Sequence, residues 1–136
     1  MNDFILWKTC EKEFIRHISP DKEKVESLVE TALQRKFFLE SNPVNEKTVS
    51  FIVEGFYEVV KELLVALLLK NGMRSSNHQC LISYFYMQFP QYEFEAHLLA
   101  QLCYLRNRLD YYGEAIDAAF YEKNKGNYKW DDRAEA

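Results

Sequence analysis

Residues 51–72 read FIVEGFYEVVKELLVALLLKNG and form the longest apolar segment of this 136-residue chain. At about 100° per residue, four of its five charged side chains share one face of a helix: Glu54, Glu58, Lys61 and Glu62. The second half of the segment is apolar all round. Such a helix lies either at the centre of a bundle or partly under another subunit, and the first alternative is favoured.

The composition favours a single all-α domain. The chain is 48% hydrophobic and 28% charged, and it has only four Gly and three Pro, too few for a turn-rich β-sandwich. We predict one helical domain over residues 1–126, with its core at about 20–122 and a polar tail at 127–136. An extra N-terminal helix over residues 4–18 is also expected from the helical spacing of Phe4, Trp7, Cys10, Phe14 and Ile18.

Proline and capping residues predict where the main helices begin and end. Three starts are expected, at Ser19-Pro20, at Asn42-Pro43 and at a capping box formed by residues 76–79. The second of these helices runs to about Lys70 and ends at Asn71-Gly72, and the third ends at Phe89 before Pro90. Two further helices are predicted over 92–112 and 114–122, separated by Gly113. On the first main helix, the inner face is expected to carry Val25, Leu28, Val29 and Ala32.

Charge and cysteine usage narrow the class of protein. The net charge is −4, so any contact with nucleic acid must come from a local cluster of cations. Cys10, Cys80 and Cys103 are odd in number and far apart, which argues against a disulfide framework and a zinc site. A cytoplasmic protein without a metal or other cofactor is therefore expected. No secretory leader or membrane-spanning run is evident, so no contact with a membrane is predicted.

Residues 97–112 predict a subunit contact. Their core stripe is leucine-rich and consists of Leu98, Leu99, Leu102, Leu105 and Leu109. The face opposite most of this stripe has no carboxylate and no lysine, and it consists of His97, Ala100, Tyr104, Asn107 and Tyr111. An uncharged aromatic strip is typical of a dimer face or a ligand surface, and burial under another helix of the same bundle is the alternative.

Three segments in succession resemble the HEPN family of small helical proteins: residues 51–72, residues 75–85 with His78, and residues 105–113. The family signature is Arg-Asn, three residues and His; here Arg106 and Asn107 match it, and Tyr111 stands at the histidine position. The resemblance covers residues 20–122. It implies an up-down bundle of four to five helices and a homodimer whose two Arg-Asn motifs face each other. Members include metal-independent RNases, toxins paired with nucleotidyltransferases, and non-catalytic proteins.

The resemblance makes Arg106 the candidate phosphate ligand. Its guanidinium can bind a phosphate through a bidentate fork, and Asn107, Arg108 and His78 are candidates for the same ligand site. Metal-independent RNA cleavage also needs a base for the 2′-hydroxyl and a proton donor for the leaving oxygen. Arg106, Asn107, Asp110 and Tyr111 are therefore the candidate catalytic residues.

The missing histidine leaves the identity of the base open. Tyr111 is a poor base because a phenol has an unperturbed pKa of about 10, although it can donate a hydrogen bond. Asp110, His78 or His97 would have to replace it. Asp110 follows Arg106 by four residues on the same helix, a spacing that favours an ion pair and lowers the basicity of the carboxylate.

Three functions are compatible with the sequence. The preferred one is a HEPN-like dimer that binds RNA or a nucleotide through Arg106 and Asn107, with weak or no catalysis. The alternatives are a metal-independent RNase of toxin type and a regulatory or structural partner of a nucleotidyltransferase. For the last, Tyr111 or Tyr112 could accept a nucleotide, although the tyrosine modified in the family lies two residues beyond the histidine, where this chain has Gly113.

Overall fold

The computed structural model describes residues 4–112, with side chains through residue 106. In chain order this part forms α1 (Trp7–Glu13), β1 (Ile15–His17), α2 (Lys22–Glu40), α3 (Val49–Lys70), β2 (Met73–Ser75), α4 (His78–Gln88), a 3₁₀ turn (Pro90–Tyr92) and α5 (Glu93–Tyr112). The prediction of an all-α helical bundle is confirmed, because the two strands have only three residues each. Gly113, the predicted helix over 114–122 and the tail at 127–136 lie outside the described residues. None of the helices described is long and apolar enough to cross a membrane.

The central element is α3, which packs against α2, α4, α5 and β2. Every residue from 56 to 69 on this helix is buried or half-buried. The elements of one chain therefore suffice to cover it, and the prediction that its apolar half forms the monomer core is confirmed. The helix also ends as predicted. Asn71 is its C-cap, and Gly72 takes φ +75°, a conformation that favours glycine, to turn the chain into β2.

The predicted start of α3 at Asn42-Pro43 is wrong, since the helix begins at Val49. Side chains hold the preceding residues in a turn. The side-chain Oδ1 of Asn45 accepts hydrogen bonds from the N–H groups of Lys47 and Thr48 at 2.8 and 3.2 Å. The Thr48 hydroxyl donates to the Pro43 carbonyl at 2.8 Å. Such side-chain bonds offer the backbone an alternative to helix, which explains the later start.

The first main helix, α2, begins at Lys22 rather than at Ser19-Pro20. Asp21 is its N-cap and accepts a hydrogen bond from the Lys24 N–H at 3.1 Å. Pro20 lies instead beside Gly72, at the turn between α3 and β2. The predicted inner face of α2 is confirmed, since the following residues are buried or half-buried: Val25, Leu28, Val29 and Ala32.

The start of α4 is close to the predicted position, but the predicted cap is wrong. Asn77 rather than Ser76 is the N-cap, and its side chain accepts a hydrogen bond from the Gln79 N–H at 2.8 Å. The Ser76 hydroxyl donates to the Phe14 carbonyl at 3.4 Å, next to β1. The Ser76 side chain, which local spacing predicted to cap α4, therefore makes a long-range hydrogen bond instead. The end before Pro90 and the start of α5 at Glu93 agree with the prediction to within one residue.

The predicted helix over residues 4–18 is only partly present. It is confined to α1, and β1 follows it and pairs antiparallel with β2, with Ile15 opposite Ser75 and His17 opposite Met73. The Ile18 N–H donates to the Gly72 carbonyl at 2.9 Å and extends this pairing. The residues after Phe14 find their hydrogen-bond partners just beyond α3, so tertiary pairing overrides their helical spacing.

The prediction against a disulfide is wrong. Cys10 on α1 and Cys80 on α4 are bonded, across a sequence separation of 70, and both are fully buried. Their Cα atoms lie 5.7 Å apart because α1 packs on α4, a contact that their distance in the sequence does not reveal. Cys103 is free and buried. Since disulfides persist mainly in oxidising compartments, this bond removes the cysteine argument for a reducing cytoplasm.

Candidate functional site

Arg106 lies where α5 crosses α3, and its side chain is only 23% exposed. Its Nη2 is 3.6 Å from Oε1 of Glu58. Its guanidinium carbon also lies 5.6 Å from the centre of the Tyr57 ring, within the range of a cation–π contact. The residue that the sequence singled out is therefore held in a fixed position by two residues of the central helix.

Glu58 joins Arg106 to a second cation. Its Oε2 is 2.7 Å from Nζ of Lys61, so one carboxylate is shared by an ammonium and a guanidinium. The side chains of Glu58 and Lys61 are 23% and 21% exposed, and such partial burial strengthens the attraction between their charges. Both residues lie on the polar face predicted for the long helix, but the sequence does not identify them as site residues. The sequence feature that could have identified them is the presence of charged residues within a long apolar helix.

His78, at the start of α4, belongs to the same group of charges. Its pKa is lowered by partial burial, and the positive charges of Lys61 and Arg106 lower it further, whereas Glu58 opposes the shift. His78 is therefore within electrostatic reach of Arg106, the other predicted ligand residue, and of Glu58. The neutral imidazole, which can act as a base, is therefore favoured near neutral pH.

Tyr57 is a buried, uncharged residue whose ring lies against the Arg106 guanidinium. Its hydroxyl lies 3.5 Å from Sγ of Cys103 in a buried hydrogen bond. Burial raises the pKa of Tyr57 well above its ordinary range, the contact with Cys103 raises it further, and the charge of Arg106 opposes the shift. Tyr57 therefore remains an uncharged phenol that supports the Arg106 guanidinium through its ring.

His97 does not join the Arg106 site. Its Nε2 lies 3.6 Å from Oε2 of Glu93, and its ring lies 4.7 Å from the ring of Phe4. It precedes Arg106 by nine residues on α5, which separates the two by about 13 Å along the helix axis. Within one chain, His97 therefore lies outside the group of charges around Arg106, and its role as a replacement base stays a prediction.

The predicted dimer face is described only in part. His97 and Ala100 are half-buried, whereas Tyr104 is 57% exposed. Both alternatives for the strip, a dimer face and burial under another helix of the same bundle, therefore stay predictions. Asn107 and Tyr111 belong to the same strip, but their side chains lie outside the described part of the chain.

Several candidate residues fall beyond the side chains described. Asn107, Arg108, Asp110 and Tyr111 belong to α5 by their backbone, but the contacts of their side chains lie outside the description. The ion pair between Arg106 and Asp110 therefore stays a prediction. Among the residues that are described, no group of three or more His, Cys, Asp or Glu could hold a metal ion.

Comparisons with protein-family models, with curated proteins and with solved structures gave no match. The resemblance to the HEPN family accordingly rests on the quoted residues alone. Function must be argued from the charged cluster itself, which consists of Glu58, Lys61, His78 and Arg106. We refer to this group as the Arg106 cluster.

Proposed function

We propose that this protein is a HEPN-like homodimer that binds RNA or a nucleotide through Arg106 and Asn107, with weak or no catalysis. The observation that carries the proposal is the shared carboxylate of Glu58, because Lys61 and Arg106 converge on one oxyanion. A guanidinium and an ammonium that meet at one carboxylate can also bind a phosphate group, since both cations donate hydrogen bonds to phosphate oxygens. A phosphate would displace Glu58 and take over both cations.

The charge of the cluster supports phosphate binding even though the whole chain is acidic. Lys61 and Arg106 carry two positive charges against the one negative charge of Glu58, and burial favours a neutral His78. The cluster therefore has an excess of positive charge in a chain whose net charge is −4. This matches the expectation that any contact with nucleic acid comes from a local cluster of cations.

Replacing Arg106 tests this function. We expect Arg106→Ala to weaken binding of a short fluorescent oligoribonucleotide about 10- to 100-fold, since a hydrogen bond to a charged group contributes about 1.5–3 kcal/mol. The measurement is fluorescence polarisation in EDTA. Arg16→Ala, which removes an exposed cation from β1, is the matched control and should bind like the wild type. Equal affinities for Arg106→Ala and the wild type would refute the proposal.

His78 favours a second candidate function, a metal-independent RNase. Partial burial and neighbouring cations keep this imidazole neutral, so it could accept the 2′-hydroxyl proton while Arg106 stabilises the phosphate. Cleavage of RNA by the wild type in EDTA would favour this function over binding alone. The third hypothesis, partnership with a nucleotidyltransferase, has its only support in the family resemblance.

The proposed homodimer uses the α5 strip that contains His97, Ala100 and Tyr104. Tyr104 is 57% exposed, which supports a role for the strip as a contact surface. We expect Ala100→Glu to separate the dimer, because an unpaired carboxylate buried at an interface costs several kcal/mol. Gln101→Glu, at the exposed neighbouring position, is the control. Light scattering gives the mass, and a monomeric wild type would contradict the proposed assembly.

A further inference from the structure

A groove of about 330 Å³ lies between the end of α2 and the first half of α3. Phe38 from α2 and Phe51 from α3 both line it, and they are 65% and 70% exposed. At its floor is Gly55, where an added Cβ would come within 2.6 Å of Cδ2 of Leu39. The missing side chain at Gly55 therefore lets the two helices approach closely below a pair of exposed aromatic rings.

The groove also contains polar groups, which distinguish it from an apolar docking surface. Glu54 lines its wall, and Arg35, whose side chain is 42% exposed, lies at its rim and is paired with Glu62. Asn42 lines it as well and donates its amide to the Phe38 carbonyl at 2.7 Å. A site with aromatic rings, a carboxylate, an amide and a guanidinium has the composition of a site for a polar aromatic ligand.

Glu58 connects this groove to the Arg106 cluster. It lines one end of the groove, and its carboxylate is the one shared by Lys61 and Arg106. A ligand whose phosphate replaces Glu58 between the two cations would therefore have its neighbouring chemical group at the mouth of the groove. In a nucleic acid, that neighbouring group is a nucleoside.

We propose that the groove binds an unpaired nucleobase with an exocyclic amino group, next to the phosphate site at Arg106. This inference rests on the proposed function and specifies single-stranded RNA as the ligand. Phe38 and Phe51 provide rings on which a base can stack, as aromatic side chains do in proteins that bind single strands. Glu54 accepts a hydrogen bond from the amino group of cytosine, which uracil lacks.

The volume of the groove and the structure of RNA exclude a double helix as the occupant. A volume of about 330 Å³ is at the small end of ligand pockets and suits one nucleoside rather than a peptide helix. Bases in duplex RNA are stacked on each other and cannot enter it. The protein is thus expected to prefer single strands to duplexes of the same sequence.

Replacing the two rings tests the inference. We expect Phe38→Ala and Phe51→Ala each to weaken binding of a short oligocytidylate about 5- to 150-fold, the effect of losing one base–aromatic stack. Phe37→Ala is the matched control, because Phe37 neighbours Phe38 on α2, is 75% exposed and lines a different groove. Circular dichroism shows whether each variant is folded, and fluorescence polarisation gives the affinity.

Base preference provides a second, independent readout. The wild type should bind oligocytidylate more tightly than oligouridylate, and Glu54→Gln should reduce this preference because an amide can also donate a hydrogen bond to uracil. Equal affinities for the two oligonucleotides in the wild type would overturn the inference. So would wild-type affinity in both phenylalanine variants, or loss of affinity in Phe37→Ala equal to theirs.

The outcome for Arg106→Ala separates this inference from the proposed function. If that variant loses affinity for every oligonucleotide while the phenylalanine variants bind normally, the phosphate site stands and the base site is wrong. If the wild type binds no oligonucleotide, both proposals are wrong. If the groove instead binds a protein segment, Phe38→Ala and Phe51→Ala should bind RNA with wild-type affinity. This result also overturns the inference.

Discussion

Removing the disulfide between Cys10 and Cys80 lowers the free energy of unfolding by about 4 kcal/mol, the chain-entropy value for a loop of about 70 residues. The bond restricts the unfolded chain by closing a loop that contains α2 and α3. It also attaches α1 to α4, so its loss weakens the anchoring of the N-terminal segment. Urea denaturation with and without a reductant measures the difference.

Cys103 provides the control for this prediction. Cys103→Ser leaves the disulfide in place, so the variant should lose as much stability on reduction as the wild type does. Cys80→Ala cannot form the disulfide, so its free energy of unfolding should be low and should be the same with and without the reductant. With the bond in place, only Cys103 should react with a thiol reagent when the unreduced wild type is unfolded. Three reactive thiols under these conditions would contradict the bond.

Introducing histidine at position 111 is expected to produce metal-independent RNA cleavage, about 10²- to 10⁴-fold faster than in the wild type, the usual contribution of a general base. The HEPN signature has His at this position, five residues after Arg106 on α5. An imidazole with a pKa of about 6.5 can accept a proton at neutral pH, whereas a phenol with a pKa of about 10 cannot. The assay follows cleavage of labelled RNA in EDTA.

Two further variants make this test specific. Tyr111→Phe removes the hydroxyl without adding a base and should remain as inactive as the wild type. Adding Arg106→Ala to Tyr111→His should abolish the new cleavage, because the cation that stabilises the phosphate is then lost. Binding of RNA by Tyr111→His without any cleavage would contradict the proposal that the missing histidine is what limits catalysis.

A wild type that already cuts RNA in EDTA would lead to a different conclusion. Loss of that activity in His78→Ala would place the base on α4, within the Arg106 cluster, and would favour the RNase function. Loss in Asp110→Asn would place it on α5. Either result contradicts the preferred function of binding without efficient catalysis, because the signature histidine would then be dispensable.

The sequence by itself determined the helical bundle and the helix ends that local signals mark, at Asn71-Gly72 and before Pro90. The apolar pattern of α3, the stop at Asn71-Gly72 and the break at Pro90 are local signals, since they act through hydrogen bonds and backbone angles within a few residues. Arg106 and His78 could also be named in advance, because the resemblance and their residue types identify them without any coordinates.

Only the tertiary structure decided which distant residues meet. Three contacts join segments that are far apart in the chain: the pairing of β1 with β2, the Cys10–Cys80 bond, and the hydrogen bond from the Ser76 hydroxyl to the Phe14 carbonyl. The same is true of the functional site. Glu58 lies on α3, but it becomes a site residue because the packing of α5 on α3 brings Arg106 to its carboxylate. Helix periodicity predicts which face of an element is buried, whereas contacts between elements depend on how all of them pack at once, and no local pattern encodes that arrangement.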